Sequence, residues 1–363
     1  MTIAKALVLE GPRRLVPRSL SIPAVGEDTA LLRIEACGLC GTDHEQFTGA
    51  MGSGFAFVPG HEAVGIIEEI GPVAESRWGV TIGDRVAVEV FQSCRECEHC
   101  RQGEYRRCQV HGIGDMYGFI PVGKEPGLWG GYSTHLFLSR DAMLHRVPDG
   151  VDPVLATLFN PLGAGIRWGC TLPGTARGDV VAIFGPGIRG LCSVVAVHQA
   201  GASFVMVTGY GPGDAGRLEV ARTLGADLAV DVAEEDPAAA LAGATGRLAD
   251  VVVNVTAKAP SAFGQAIQTV RPGGTVVMAG TSGAVGTPGL VPDMIAFKEV
   301  RVLGALGVDA PAYAEALRVI ASGRYPFGDL PRRIATLETL EQLLTNMAGE
   351  GSVPPPVHGV LVP

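Results

Sequence analysis

The hydrophobic pattern divides the chain into a first part of short alternating runs and a second part of continuously apolar ones. Over the first 150 residues, β-type runs at Ala30–Ile34, Ala63–Ile70, Arg85–Val90 and Ser133–Leu138 are separated by glycine turns. Gly60, Gly65, Gly71 and Gly83 punctuate this part, which predicts a largely β domain. Val151–Leu158 begins a helix, and from Asp179 the period changes. Apolar runs at Val180–Phe184, Ser203–Thr208, Leu228–Asp231, Val251–Val255 and Thr275–Ala279 then read as strands, with Val300–Gly304 after a loop. Gly190–Ala200, Arg217–Leu224 and the alanine-rich Asp236–Gly243 read as helices between them. Buried strands that alternate with helices predict a parallel sheet covered on both faces, an α/β architecture. Ala310–Ala321 is one further helix, followed by Pro-rich, strand-like ends.

Composition narrows this picture. At 363 residues the chain is long enough for two domains, and 51 glycines and 25 prolines suit an enzyme with many tight turns. A net charge of −9 argues against a nucleic-acid partner. No run of the length a membrane span needs is free of charge and turn residues, so no membrane partner is expected. The Met-Thr-Ile-Ala-Lys start lacks the features of a secretory signal, and reduced thiols are expected in a cytoplasmic protein.

Two local motifs carry specific chemistry. Val180–Phe184 runs into Gly185-Pro186-Gly187-Ile188-Arg189-Gly190 and then a helix. Gly185 permits the tight turn, Gly187 lets the backbone approach a pyrophosphate, and Gly190 allows close helix–strand packing. The phosphates are expected on the helix N-terminus, where free N–H groups and the dipole favour anions. The acidic residue for the adenosine ribose should end the next strand, about 20 residues on. That strand ends at Thr208-Gly209, and Asp214 lies further along a glycine-rich loop, from which it could reach back. Arg217 could instead meet a 2′-phosphate. Both NAD and NADP fit, with NAD preferred.

The second motif is the stretch Cys94–Cys108, with cysteines at 94, 97, 100 and 108. Two-residue gaps let neighbouring thiolates converge on one ion, and four thiolates close a tetrahedral zinc site with no open position. Such a site folds its loop and does no chemistry. An iron–sulfur run of the bacterial ferredoxin type is tighter and ends in Cys-Pro, which this one does not.

The remaining signals lie upstream: Gly38-Leu-Cys-Gly-Thr-Asp43 and Pro59-Gly-His-Glu62. With the lobe, Gly130-Gly131-Tyr132 and the glycine loop, they make the chain resemble the zinc-dependent medium-chain dehydrogenase/reductases, the family of alcohol, sorbitol and threonine dehydrogenases. That resemblance implies a GroES-like, largely β catalytic domain over 1–155 with the zinc lobe at 92–110. It also implies a doubly wound Rossmann coenzyme domain over 156–307 and a return to the catalytic domain over 308–363. It implies that Cys40 and His61 are catalytic zinc ligands and that Thr42 passes the substrate proton onward. Asp43 would orient His61, and Glu62 would be a mobile carboxylate able to enter the coordination sphere. Thiolate and imidazole hold zinc, and an open position admits a substrate oxygen.

One position departs from the family, whose third protein ligand is Cys, Glu or Asp. Here the matching run is Asn160-Pro161-Leu162, and asparagine is neutral. Three outcomes stay open: Glu62 becomes the anionic ligand, Asn160 binds through its carbonyl or a water, or the site is weak in zinc.

The expected activity is interconversion of an alcohol and a ketone or aldehyde by hydride transfer, by a homodimer or homotetramer. The alternatives are a zinc-independent enone or quinone reductase of the same superfamily and a non-catalytic coenzyme-binding protein with a decayed site. Phe47, Met116, Tyr117, Phe119 and Trp129 are expected to give an apolar pocket. Cys37, Cys170 and Cys192 read as core, and His111, His135, His145, His198 and His358 have no assignable partner.

Overall fold

The computed structural model describes residues 2–52, 54–283 and 285–363. The chain forms two compact units, Met1–Asn160 with Asp309–Pro363, and Pro161–Val308. The junctions therefore fall at 160/161 and 308/309 rather than 155/156 and 307/308. The reason lies in residues 157–160, which stay anchored in the first unit. The Thr157 hydroxyl lies 3.1 Å from Nε2 of His358, and the Phe159 ring packs 5.1 Å from that of Tyr313.

The first unit is built on a seven-stranded, largely antiparallel sheet. Its centre is the strand Ala30–Leu39, paired with Glu62–Ile70 on one side and with the C-terminal strand His358–Leu361 on the other. Arg85–Val88, Leu144–Arg146 and Arg332–Ala335 extend it, and His135–Leu138 also pairs with the central strand. A hairpin of Ile3–Leu9 with Leu15–Ser21 closes the core against Phe57, Tyr117, Trp129 and Tyr132. The sequence pattern did not separate this hairpin from a loop, because its second strand is mostly exposed and carries Pro17. Phe47, Tyr117 and Trp129, read above as pocket residues, belong to this core.

The second unit is a six-stranded parallel sheet. In chain order its strands are Val180–Phe184, Phe204–Gly209, Leu228–Asp231, Ala249–Asn254, Val270–Met278 and Arg301–Gly304. In space they run third, second, first, fourth, fifth, sixth. The order reverses at the first strand, and in open α/β sheets ligands bind at the carboxyl ends of strands at that reversal. All five residues of the first strand are buried. Burying each of its Val, Ile and Phe side chains contributes roughly 1.5–3 kcal/mol relative to exposure, which fixes the strand and the loop that leaves it. Among the described residues, no helix is long and apolar enough to cross a membrane.

Candidate metal and coenzyme sites

Cys40 and His61 are 21 positions apart and are brought together by strand register. Gly38 pairs with Glu62 across the antiparallel strands, so the residues just beyond, Cys40 and His61, meet at the sheet end. The Cys40 Sγ lies 3.2 Å from Nε2 of His61, and both residues are buried. One carboxylate oxygen of Glu62 completes a trio whose donor atoms all lie within 4.8 Å of one another. A single zinc with bonds of about 2.0–2.3 Å spaces a sulfur and a nitrogen ligand by about 3.5 Å, so the trio fits one ion.

Local structure fixes each member. Cys40 caps the helix Gly41–Thr48, and its backbone N–H donates to Oδ2 of Asp43 at 2.8 Å. The other Asp43 oxygen, Oδ1, stands 3.7 Å from Nδ1 of His61, longer than a hydrogen bond. Asp43 therefore holds the cysteine's backbone directly and stands beside the histidine without a hydrogen bond to it. Thr42 is half-buried in the first turn of the same helix.

His61 is held from the far side by the turn Gly130–Tyr132. The N–H of Gly131 donates to the Gly60 carbonyl at 2.8 Å and that of Tyr132 to Pro59 at 2.9 Å. Gly60 has φ of +91°, and a Cβ there would come within 2.6 Å of the Tyr132 ring. The ring of Phe119 packs 5.5 Å from that of His61. Phe119 also packs on the cluster of Val90, Phe91 and Tyr105 beside the lobe, with Met116 as its neighbour.

Gly38 makes room for Glu62. A Cβ at that position would collide with Oε2 of Glu62 and lie 3.2 Å from the side chain of Thr157. Gly38→Ala should therefore push the carboxylate off the Cys40–His61 pair and speed zinc loss to a chelator severalfold. Unchanged retention would mean that the carboxylate does not contact the metal.

Asn160 is buried beside the trio, with its amide nitrogen 3.5 Å from the backbone carbonyl of His61. Cys37 stays outside the trio: it is fully buried, and burial, with the Asp43 carboxylate adding, holds its thiol well above the ordinary range. Four of the histidines left without a partner by the sequence, His111, His135, His145 and His358, meet charged neighbours. His111 lies between Asp115 and Asp141, at 3.1 and 2.9 Å, and His135 faces Glu68 at 3.0 Å. His145 meets buried Glu89 at 2.7 Å, and His358 receives a hydrogen bond from Arg332 at 3.0 Å.

In the lobe, the sulfurs of Cys94, Cys97, Cys100 and Cys108 converge within 4.8 Å of one another. Cys94 and Cys100 stand 3.7 Å apart. A tetrahedron with zinc–sulfur bonds of about 2.3 Å has edges of about 3.8 Å, so the lobe also fits zinc. Backbone N–H groups of Gln109 and Cys100 aimed at Cys97 lower its thiol to about 6.

At the second unit's loop, Gly185 has φ of +106° and its N–H donates to the Thr208 carbonyl at 3.2 Å. A Cβ on Gly190 would overlap the Gly185 carbonyl oxygen, whereas one on Gly187 would meet open space. Pro186 is buried; Ile188 opens the helix Ile188–Ala200, two residues earlier than the sequence pattern suggests, and Arg189 follows it. Asp214 folds back over the second strand's end: its Oδ2 accepts from the Tyr210 N–H at 3.0 Å, close above Gly209. Arg217 lies 3.7 Å from its other oxygen. Thr256, which sequence reasoning missed, packs where a Gly185 side chain would stand, and Asn254 holds it by accepting from its hydroxyl at 2.7 Å.

Comparison with known proteins agrees with this geometry. Residues 26–149 match the alcohol dehydrogenase GroES-like domain family, and residues 190–322 the zinc-binding dehydrogenase family. A Mycobacterium tuberculosis protein named as a probable alcohol dehydrogenase is 65% identical over 99% of both chains. Sorbitol dehydrogenase of Bacillus subtilis is 29% identical over 88% of this chain and 86% of its own. A crystal structure described as a zinc-binding dehydrogenase from Sinorhizobium meliloti 1021, bound to NADP, superimposes with a TM-score of 0.82. It is 28% identical and covers 100% of both chains. The thiolate–imidazole–carboxylate trio, the four-cysteine lobe and the doubly wound glycine loop thus have one common explanation: the chain belongs to the zinc-dependent medium-chain dehydrogenase/reductase family and is an alcohol oxidoreductase.

Proposed function

We propose that Cys40, His61 and Glu62 hold the zinc at which an alcohol and its ketone or aldehyde are interconverted, and that Cys94, Cys97, Cys100 and Cys108 hold a second, structural zinc. The observation that carries this reading is the convergence of the three buried donor groups on one point. Zinc bound there supplies a Lewis acid that favours the deprotonated form of an alcohol. The Thr42 hydroxyl, two residues along the chain from Cys40, takes the substrate proton and passes it outward. Asp43 keeps Cys40 in place through the backbone. Phe119 gives His61 an apolar wall and favours bulky alcohols over sugars.

Glu62 is read as the third protein ligand because one of its oxygens lies with the Cys40 and His61 donor atoms, while the neutral Asn160 side chain donates its amide N–H to the His61 backbone carbonyl. Asn160→Glu should then slow zinc loss to a chelator by about tenfold or more, since a second carboxylate adds charge beside the ion. It should also lower kcat, because added negative charge weakens the Lewis acid. Faster metal loss in that variant would mean that position 160 does not face the ion.

NAD is the coenzyme this reading prefers, on the strength of Asp214 folded over the end of the second strand, where a ribose hydroxyl is bound. Assay of an alcohol panel with both coenzymes tests this: turnover should be at least about tenfold more efficient with NAD. Preference for NADP would transfer the role to Arg217. A homo-oligomer is supported by the sixth strand, Arg301–Gly304. It forms the sheet edge, with Phe297 at 78% and Leu306 at 53% exposure beside it. A four-thiolate lobe needs reduced cysteines, which fits a cytoplasmic setting.

A further inference from the structure

Within the glycine loop one side chain is neither absent nor apolar. Arg189 is the second residue of the helix Ile188–Ala200, and its guanidinium carbon lies 5.3 Å from the centroid of the Trp168 ring. Trp168 is itself immobilised: it is buried, and its indole N–H donates to the Gly307 carbonyl at 2.9 Å. The π-helical turn Arg167–Thr171 that carries it and the end of the helix just before it are locked to the loop helix by two close approaches. A Cβ on Gly165 would come within 2.8 Å of the backbone of Cys192 and Ser193, and one on Gly169 within 2.9 Å of Val197. The ring is a fixed platform, and a cation over its face is held there.

This is the wrong helix end for a cation. The first turn already carries about half a positive charge, and arginine is favoured at the other terminus. The first turn contains no acidic residue. A local rule broken at a loop that binds a ligand is where a functional reason is sought.

The topology indicates which half of a coenzyme the charge faces. The adenosine ribose belongs at the end of the second strand, Phe204–Gly209. The turn that carries Trp168 packs against the fourth strand, Ala249–Asn254, which lies on the other side of the first strand. The guanidinium therefore stands toward the nicotinamide half.

We propose that Arg189 selects the redox state of the bound coenzyme: its permanent positive charge weakens binding of the oxidised form, whose nicotinamide ring is cationic, relative to the reduced form, whose ring is neutral. The proposal rests on the coenzyme reading given above. Oxidised and reduced forms carry the same pyrophosphate, so a charge acting there changes both affinities alike. Only a charge acting on the ring separates them. The equilibrium between free alcohol and free carbonyl is untouched; what shifts is the ratio of oxidised to reduced coenzyme on the enzyme.

The test is calorimetric titration of the wild type, Arg189→Leu and Arg189→Lys with oxidised and reduced NAD and NADP, with thermal unfolding to verify that each variant is folded. The wild type should bind the reduced form more tightly. Arg189→Leu should shrink the ratio of oxidised to reduced Kd by about fivefold or more, and Arg189→Lys, which keeps the charge, should preserve most of it. Equal weakening of both forms in Arg189→Leu would overturn the proposal and make Arg189 a phosphate contact. Unchanged affinities for both would overturn it as well. If the wild type bound no dinucleotide, the coenzyme reading would fall and this proposal with it; a wild type that binds, with an unaltered ratio in the leucine variant, sinks the proposal alone.

Discussion

Replacement of Cys40 or His61 by alanine is expected to lower kcat/KM by at least about 1,000-fold while coenzyme affinity changes less than about twofold. The loss follows from the charge stabilisation a Lewis acid gives, several kcal/mol, at about 1.4 kcal/mol per factor of ten. The separation follows from the fold. Cys40 and His61 stand at one end of the first unit's sheet, and the glycine loop belongs to the second unit. Both substitutions leave buried partners behind, so thermal unfolding must accompany the assay. Cys40→Ala with most of its activity intact would put hydride transfer without zinc in first place.

Cys97→Ser is expected to have the largest effect on stability. A four-thiolate site binds its ion only when the lobe is folded, so metal affinity is folding free energy. Backbone N–H groups of Gln109 and Cys100 aimed at Cys97 lower its thiol and favour the thiolate a zinc ligand needs. Its loss should release the lobe zinc and cost on the order of 3 kcal/mol or more, a scale reached when a structural metal goes. Folded Cys97→Ser protein should still turn over, because the lobe sulfurs are a closed set apart from the Cys40 trio. A variant with unchanged zinc content and unchanged melting temperature would contradict the lobe assignment.

What was legible in the sequence was local. The lobe is written in the spacing of four cysteines over fifteen positions, and the glycine loop in a strand, three glycines and a helix. Both depend on neighbours along the chain, and the structure places both sets together. The strand Val180–Phe184 and the helix Ala310–Ala321 have the bounds their periodicity suggests, because an apolar run or stripe with clear ends leaves little choice.

What was illegible depends on distance in space. The residue types of Cys40, His61 and Glu62 were visible, but their meeting depends on the register between Gly38 and Glu62. The helix Gly41–Thr48 is short and polar and has no apolar stripe to announce it; its first turn is closed by the N–H of its cap, Cys40, donating to Asp43. That use of Asp43, and the 3.7 Å to His61, follow from the same local geometry. Aromatic residues were named as a pocket by type alone, and burial moved Phe47, Tyr117 and Trp129 to the core while leaving Phe119 against His61. The buried acid–base contacts of His111 and His145 join segments 30 and 56 positions apart, beyond any local pattern.

The central claim is that Glu62, with Cys40 and His61, holds the zinc at which the alcohol reacts. Elemental zinc per chain before and after dialysis against a chelator, measured for the wild type and Glu62→Gln, tests it most directly. The account predicts two zinc ions per chain in the wild type, and one after dialysis of Glu62→Gln, with the lobe ion retained and turnover lost together with the other. A Glu62→Gln protein that keeps both ions and its activity would contradict it.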